Sequence, residues 1–144
     1  MKALLDTSTL VAALVEGHVA HERAFSWLQR AHQREIEGMV AAHTLAELYA
    51  ILTRLPVRPR LSAGRTWQII QQDILTHLEV VALSAEDYRA VLVQLSQEEI
   101  IGGVVYDALI AQAALRTGVD ILVTLNLKDF LRAYPGLKAQ ILAP

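Results

Sequence analysis

Four positions far apart in this 144-residue chain place an acid or amide side chain where an apolar run gives way to a helix-forming one: Asp6, Glu47, Asp107 and Asn126, with Asp129 just beyond the last. Asp6 follows Ala3-Leu4-Leu5, Asp107 opens the run Asp107-Ala-Leu-Ile-Ala-Gln-Ala-Ala-Leu, and Asn126 follows Ile121-Leu-Val-Thr-Leu. An open parallel sheet gathers the ends of neighbouring strands at one crevice, so such side chains can meet. Two bare carboxylates about 4 Å apart repel by roughly 4 kcal/mol at an effective dielectric near 20. A hard divalent cation removes that repulsion. Oxygen donors without Cys, together with retained waters, suit Mg²⁺ or Mn²⁺. The chemistry so indicated is metal-assisted.

Each position also has an ordinary structural role. Asp is a common helix cap, but Thr7, Ser8 and Thr9 already offer capping oxygens, so Asp6 reads as a ligand. Thr44-x-x-Glu47 has the spacing of a capping box, and for Glu47 cap and ligand stand even. A helix N-terminus favours an anion at Asp107, yet its place between Tyr106 and an apolar helix, just past Gly102-Gly103, favours a ligand. Asn126 and Asp129 are equally ordinary turn or cap residues. Arg54, Arg58, Arg60 and Arg65 crowd a Pro-bounded loop, where they are either solvated or placed to neutralise phosphates. Ser8 and Thr124 either cap or donate hydrogen bonds to a phosphate or a metal-bound water. The five His show no metal-ligand spacing, and His18, His21 and His32 read as surface or helix-end residues. No Gly-rich phosphate loop of Walker or dinucleotide type occurs in the sequence.

The positioning elements follow from local pattern. Lys2–Leu5 reads as a buried strand, followed by a helix capped by Thr7 or Ser8, with Leu10, Val11, Leu14 and Val15 on one face and Gly17 ending it. A helix from about His21 to His32 carries Ala24, Phe25 and Leu28. Gly38-Met-Val-Ala-Ala is a second strand, and the next helix turns Leu45, Leu48, Tyr49 and Leu52 inward until Pro56. Ser62 caps a helix with Trp67, Ile70, Ile74 and Leu75 along one stripe. A third strand is Glu79-Val-Val-Ala-Leu. Ser84-Ala-Glu-Asp87 signals the start of a helix carrying Tyr88, Val91, Leu92 and Leu95. Gly118 terminates the Asp107 helix, Ile121–Thr124 is the fourth strand, and a short helix near Lys128–Ala133 precedes a terminal segment, Leu137–Leu142. Strands alternating with helices imply a parallel sheet between helical layers.

The totals set bounds. One domain, residues 1–144, with a substantial core is expected. The hydrophobic fraction of 53% exceeds what one small core needs, pointing to a self-association face or partner groove. A net charge of −2 means any nucleic-acid binding must come from a local patch. Absence of Cys removes disulfides, zinc-thiolate sites and thiol nucleophiles, and fits a reducing cytoplasm. Asp6-Thr-Ser-Thr interrupts the apolar N-terminus, no signal core is left, and no run is long enough to span a membrane.

Leu-Leu-Asp6-Thr-Ser, Ala-Glu47-Leu-Tyr, Tyr-Asp107-Ala-Leu-Ile-Ala and Thr124-Leu-Asn126-x-x-Asp129-Phe, in that order, resemble the PIN-domain family, and most closely its VapC-type toxins. The resemblance spans essentially the whole chain and implies an α/β/α three-layer fold around a parallel sheet of four to five strands. It also implies a Mg²⁺-dependent endoribonuclease, homodimerisation and inhibition by a small VapB-like antitoxin. By the same resemblance Asp6, Asp107 and Glu47 hold the metal or its water, and RNA is the substrate. The family's fourth acid falls where this chain has Asn126; Asp129 reaching the site, or three carboxylates sufficing, would answer that departure. Two rivals stand beside this reading. One is a PIN-like RNA-binding or scaffold module with weakened catalysis. The other is a haloacid-dehalogenase-type phosphatase, which needs a second acid where Ser8 stands.

Overall fold

The computed structural model describes residues 1–144, apart from the side chains of 138 and 139. Five short strands form one sheet: β1 (Lys2–Leu5), β2 (Glu37–Ala41), β3 (Glu79–Val81), β4 (Ile121–Val123) and β5 (Ile141–Leu142). Their order is β3-β2-β1-β4-β5 and every pairing is parallel. Between them run α1 (Thr7–Leu14), α2 (His21–His32), α3 (Ala42–Leu52), α4 (Ala63–Ile69), α5 (Ala85–Gln97), α6 (Val104–Thr117) and α7 (Leu127–Ala133). A π-helical turn, Ile70–Leu75, continues α4, and a 3-10 turn, Pro135–Gln140, leads into β5. The expected three-layer α/β/α architecture is the one adopted. Among the described residues no helix is long and apolar enough to cross a membrane.

Successive strand residues face opposite sides, and here both sides are covered. Ala3, Leu5 and Val40 pack against Leu10, Leu28 and Leu48 of α1, α2 and α3. Leu4, Met39 and Leu122 pack on the other side against Ile110 and Ala114 of α6 and Phe130 of α7. Burying such a leucine contributes about 1.5–3 kcal/mol. This two-sided burial explains why the strands read as continuous apolar runs rather than alternating ones. Helix α6 is enclosed as well, because Val91 and Leu95 of α5 close over its Ala108 and Leu109. A helix buried almost all round needs an almost wholly apolar sequence.

The outer helices bury narrower stripes than their sequences suggest. In α3, Leu48 and Leu52 are buried but Tyr49 is exposed; in α5, Val91 and Leu95 are buried but Tyr88 and Leu92 are exposed. Trp67 is half-exposed too, so the expected inward stripe holds from Ile70 through Ile74 and Leu75 but not at Trp67. Gly38 has a different necessity. A Cβ there would lie 2.3 Å from Leu78 Cδ2 and 2.8 Å from Ala31 Cβ, so α2 and the approach to β3 close on bare backbone. Gly118 ends α6 as expected, in the left-handed region at φ 59°.

The strand order sets the location of any site. From β1 the chain moves outward to β2 and β3, then returns to place β4 and β5 on the other side of β1. Reversal of direction between β1 and β4 opens a crevice at their carboxyl ends.

Candidate active site

Asp6 stands at that crevice, directly after β1. Its amide donates to Val123 O of β4 at 3.1 Å, and its side chain caps α1 by accepting from the Thr9 amide at 2.8 Å. Asp6 is therefore the cap that Thr7 or Ser8 was expected to be. The reason is geometric: α1 begins at Thr7, two residues earlier than a Ser8 cap allows and one earlier than a Thr7 cap allows. The carboxylate also accepts from Ser8 Oγ at 2.9 Å and from Thr124 Oγ1 at 2.8 Å. Only 1% of the residue is exposed. Burial pushes the Asp6 carboxyl above its usual range, and the hydrogen bonds from Thr9, Thr124 and Ser8 oppose that push.

The two hydroxyls assigned to substrate are thus engaged elsewhere. Thr124 is fully buried, donates to Asp6 and accepts from the Asn126 amide at 2.9 Å. That burial corrects the expectation that Thr124 meets a phosphate: it orients Asp6 from behind. Ser8 lines the cavity, yet its hydroxyl donates to Asp6 and accepts from the Leu125 amide at 3.0 Å.

Glu47 comes from the second turn of α3. This helix begins at Ala42 with no side-chain cap, so Thr44 lies inside it and the capping-box spacing is coincidental. Thr44 is buried and accepts from Thr7 Oγ1 at 3.1 Å, while the same hydroxyl reaches Glu47 Oε1 at 3.0 Å. His43 Nδ1 lies 2.9 Å from Glu47 Oε1. An ionised carboxylate only accepts, so Nδ1 carries the proton. The His43 ring stacks on Tyr106 of α6, with centroids 5.0 Å apart and planes 19° from parallel. Sequence reading passed over His43, although its spacing of four residues from Glu47 is that of helical neighbours.

Asp107 projects from the first turn of α6, which starts three residues before it. It is half-buried. Its carboxyl is pushed up to about 7, first by burial and then by the charges of Asp6, Asp129 and Glu47. Those charges place the four acids in one electrostatic neighbourhood. Asp6, Glu47, Asp107 and Asn126 share the lining of one cavity of about 360 Å³ with His18. Asp129 is not in that lining and acts on it through its charge alone. Asn126 stands before α7 and makes no side-chain capping bond. Arg54, Arg58 and Arg60 sit on the exposed loop after α3, outside the lining. His18, read as a surface residue, lies inside it.

This donor set fits a hard cation. The acids offer only oxygen donors, the charges of Asp6, Asp129 and Glu47 raise the proton affinity of Asp107, and no Arg or Lys lines the cavity among the described residues. Among those residues no three His, Asp or Glu side chains form a ready-made metal cage.

Comparison with known proteins identifies the family. The PIN domain family model matches residues 3–134, a span that holds every acid named above. Ribonuclease VapC27 of Mycobacterium tuberculosis (strain ATCC 25618 / H37Rv) is 37% identical over 110 residues, covering 76% of this chain and 74% of that protein. Ribonuclease VapC40 of Mycobacterium tuberculosis (strain CDC 1551 / Oshkosh) is 32% identical over 136 residues, covering 94% of each. VapBC2 from Rickettsia felis, solved bound to a DNA fragment from its promoter, shares the fold, with a TM-score of 0.67 at 22% identity over 100% of this chain and 99% of that one. The chain belongs to the PIN domain family, in its VapC-type branch.

Proposed function

We propose that this protein is a metal-dependent endoribonuclease, the toxin of a cytoplasmic toxin–antitoxin pair, which hydrolyses RNA phosphodiester bonds with Mg²⁺, or Mn²⁺ as a substitute. One observation carries the reading: carboxylates from the end of β1, from α3 and from α6 converge on a cavity that, among the described residues, offers them no lysine or arginine. The names of VapC27 and VapC40 as ribonucleases support it.

Asp6 and Asp107 are the residues assigned to hold Mg²⁺, with Glu47 on its water or on a second ion. Bound there, the ion lowers the pKa of a water and offsets charge on the phosphoryl group. The chain's own contribution is orientation. Ser8, Thr124 and the Thr9 amide lock the Asp6 carboxylate against rotation. Thr7 and His43 both converge on Glu47 Oε1, so we assign Oε2 to accept a proton from the attacking water. Asp107 must lose its own proton before it can hold a cation, which ties the site to pH near and above 7.

A VapB-like antitoxin and a second copy of the chain are the proposed partners. An apolar groove of about 270 Å³, bordered by Leu14, Val15, Leu52, Leu55 and Leu61, suits the antitoxin. One feature favours a second reading, a PIN-like RNA-binding or scaffold module: Asn126 replaces an acid in the lining. Metal titration and cleavage assays separate the two. The nuclease reading expects Mn²⁺ binding by calorimetry, RNA cleavage in Mg²⁺ and none in EDTA. It fails if no ion binds and Asp6→Asn leaves RNA cleavage and growth arrest unchanged.

A further inference from the structure

An acidic cavity that takes RNA must also present hydrogen-bond donors, because phosphate oxygens only accept. Few remain. The Thr7 hydroxyl is directed to Thr44 and Glu47, and the Ser8 hydroxyl to Asp6. Val11, Ile51 and Leu125 supply apolar side chains, and three lining residues are acids. Among the described lining side chains, the donors left are the Asn126 amide and the His18 ring.

The state of the His18 ring is set by the backbone. The Ala20 amide donates to His18 Nδ1 at 3.1 Å, so Nδ1 is an acceptor and the ring proton sits on Nε2. The ring is half-buried in the turn between α1 and α2. It lines the acidic cavity and also a second one of about 370 Å³, bordered by Glu16, Val19, His21, Glu22 and Arg23. His18 is the residue common to the linings of both cavities.

We propose that His18 is a substrate-contacting residue of this site, whose Nε2–H donates to a phosphate oxygen of the RNA backbone and guides the strand from the acidic cavity into the neighbouring one. The inference rests on the ribonuclease reading and deepens it. It places the substrate grip inside the cavity, where the exposed arginines do not reach.

The alternative is that His18 merely pins its turn through Ala20. Two substitutions separate these roles. The side-chain oxygen of Asn replaces Nδ1, and the amide nitrogen of Gln replaces Nε2. Cleavage of a single-stranded RNA hexamer in Mg²⁺ and its binding by fluorescence anisotropy in Ca²⁺ are the readouts, with thermal melting as the check on folding. For His18→Ala the expected result is a rise in KM and Kd of about tenfold, the size of one lost hydrogen bond to a charged group, with kcat within about twofold. His18→Gln should recover most of the loss and His18→Asn little of it, with Mn²⁺ affinity unchanged in all three. Rescue by Asn but not by Gln overturns the proposal, as does an unchanged KM and Kd in His18→Ala. In either case wild-type cleavage leaves the ribonuclease reading standing. A wild-type protein that neither binds Mn²⁺ nor cuts RNA removes both.

Discussion

Asp87 and Asp107 both lie in the first turn of a helix, in α5 and α6, and their surroundings drive them in opposite directions. The Ser84 amide, at 2.8 Å, leads the groups that hold the Asp87 carboxyl down to about 2, followed by the Ser84 hydroxyl, Gln112 and Arg116. Burial and three other acids hold Asp107 up to about 7. One aspartate completes a reciprocal cap and ties α5 to α6 through Gln112 and Arg116. The other has no hydrogen-bond donor on its carboxylate among the described residues. Residue type and helix position are shared, so neither separates the two. The neighbours do: donors surround Asp87, while burial and like charge surround Asp107.

The comparison is most severely tested at the acidic cavity. Asp6→Asn and Asp107→Asn should each lower RNA cleavage by roughly 10²–10³-fold, the range seen when one preorganised electrostatic group is lost. Circular dichroism should show the fold retained. Residual activity within tenfold of wild type would remove those residues from the chemistry.

Stability should then move in opposite senses at the two helix starts. A carboxyl raised in the folded state favours folding below its unfolded pKa near 4, and that advantage is lost as pH rises through about 7. Asp107→Asn should therefore raise Tm at pH 8 in metal-free buffer and have little effect at pH 4. Asp107 is partly exposed, so solvent screening cuts the gain to about 1–2 kcal/mol. For a chain of this size that is roughly 3–6 °C. A lower Tm at pH 8 would contradict the repulsion. Ser84→Ala, which removes the hydroxyl that caps the Asp87 amide but keeps the backbone amide that holds the Asp87 carboxylate, should cost about 1 kcal/mol with cleavage intact. Because Asp87 is depressed rather than raised, the support from its cap is present above pH 4 and disappears as pH falls through about 2.

Metal binding sharpens the contrast. Mn²⁺ affinity measured by calorimetry should fall by about tenfold per pH unit below 7, as Asp107 takes up a proton. A flat profile between pH 5 and 8 would show that Asp107 lies outside the coordination. The smallest effect is expected at the loop after α3. Arg58→Ala and Arg60→Ala should each make the salt dependence of RNA binding shallower by about 0.7. An unchanged slope would mean that this loop faces away from the strand.

Much of this was legible in the chain. Asp6 at the end of β1, the Gly118 stop and the Ser84–Asp87 box are local patterns, and each was found where it was read, whereas Glu47 lies inside α3 and Asp107 inside α6, with no strand directly before either. The Thr44–Glu47 box failed because α3 begins at Ala42, a boundary set by where β2 leaves the sheet rather than by a capping oxygen. Tyr49, Trp67 and Leu92 were read inward because hydrophobicity was used as a proxy for facing, which breaks down on helices with narrow buried stripes. His43 was passed over and His18 read as a surface residue because what each stands beside, Glu47 for one and the acidic cavity for the other, is set by the fold.

By itself the sequence determined which side chains carry charge and which segments become strand or helix, since both depend on neighbours within a few residues. It also determined that α6 is enclosed, because a helix apolar on every side has nowhere else to go. Tertiary structure alone decided which acids share a cavity, and that Thr124 serves Asp6 across 118 positions of chain. Those outcomes follow from the strand order β3-β2-β1-β4-β5. Pairing between distant strands is selected by burial of the whole sheet, and no window of neighbouring residues encodes it.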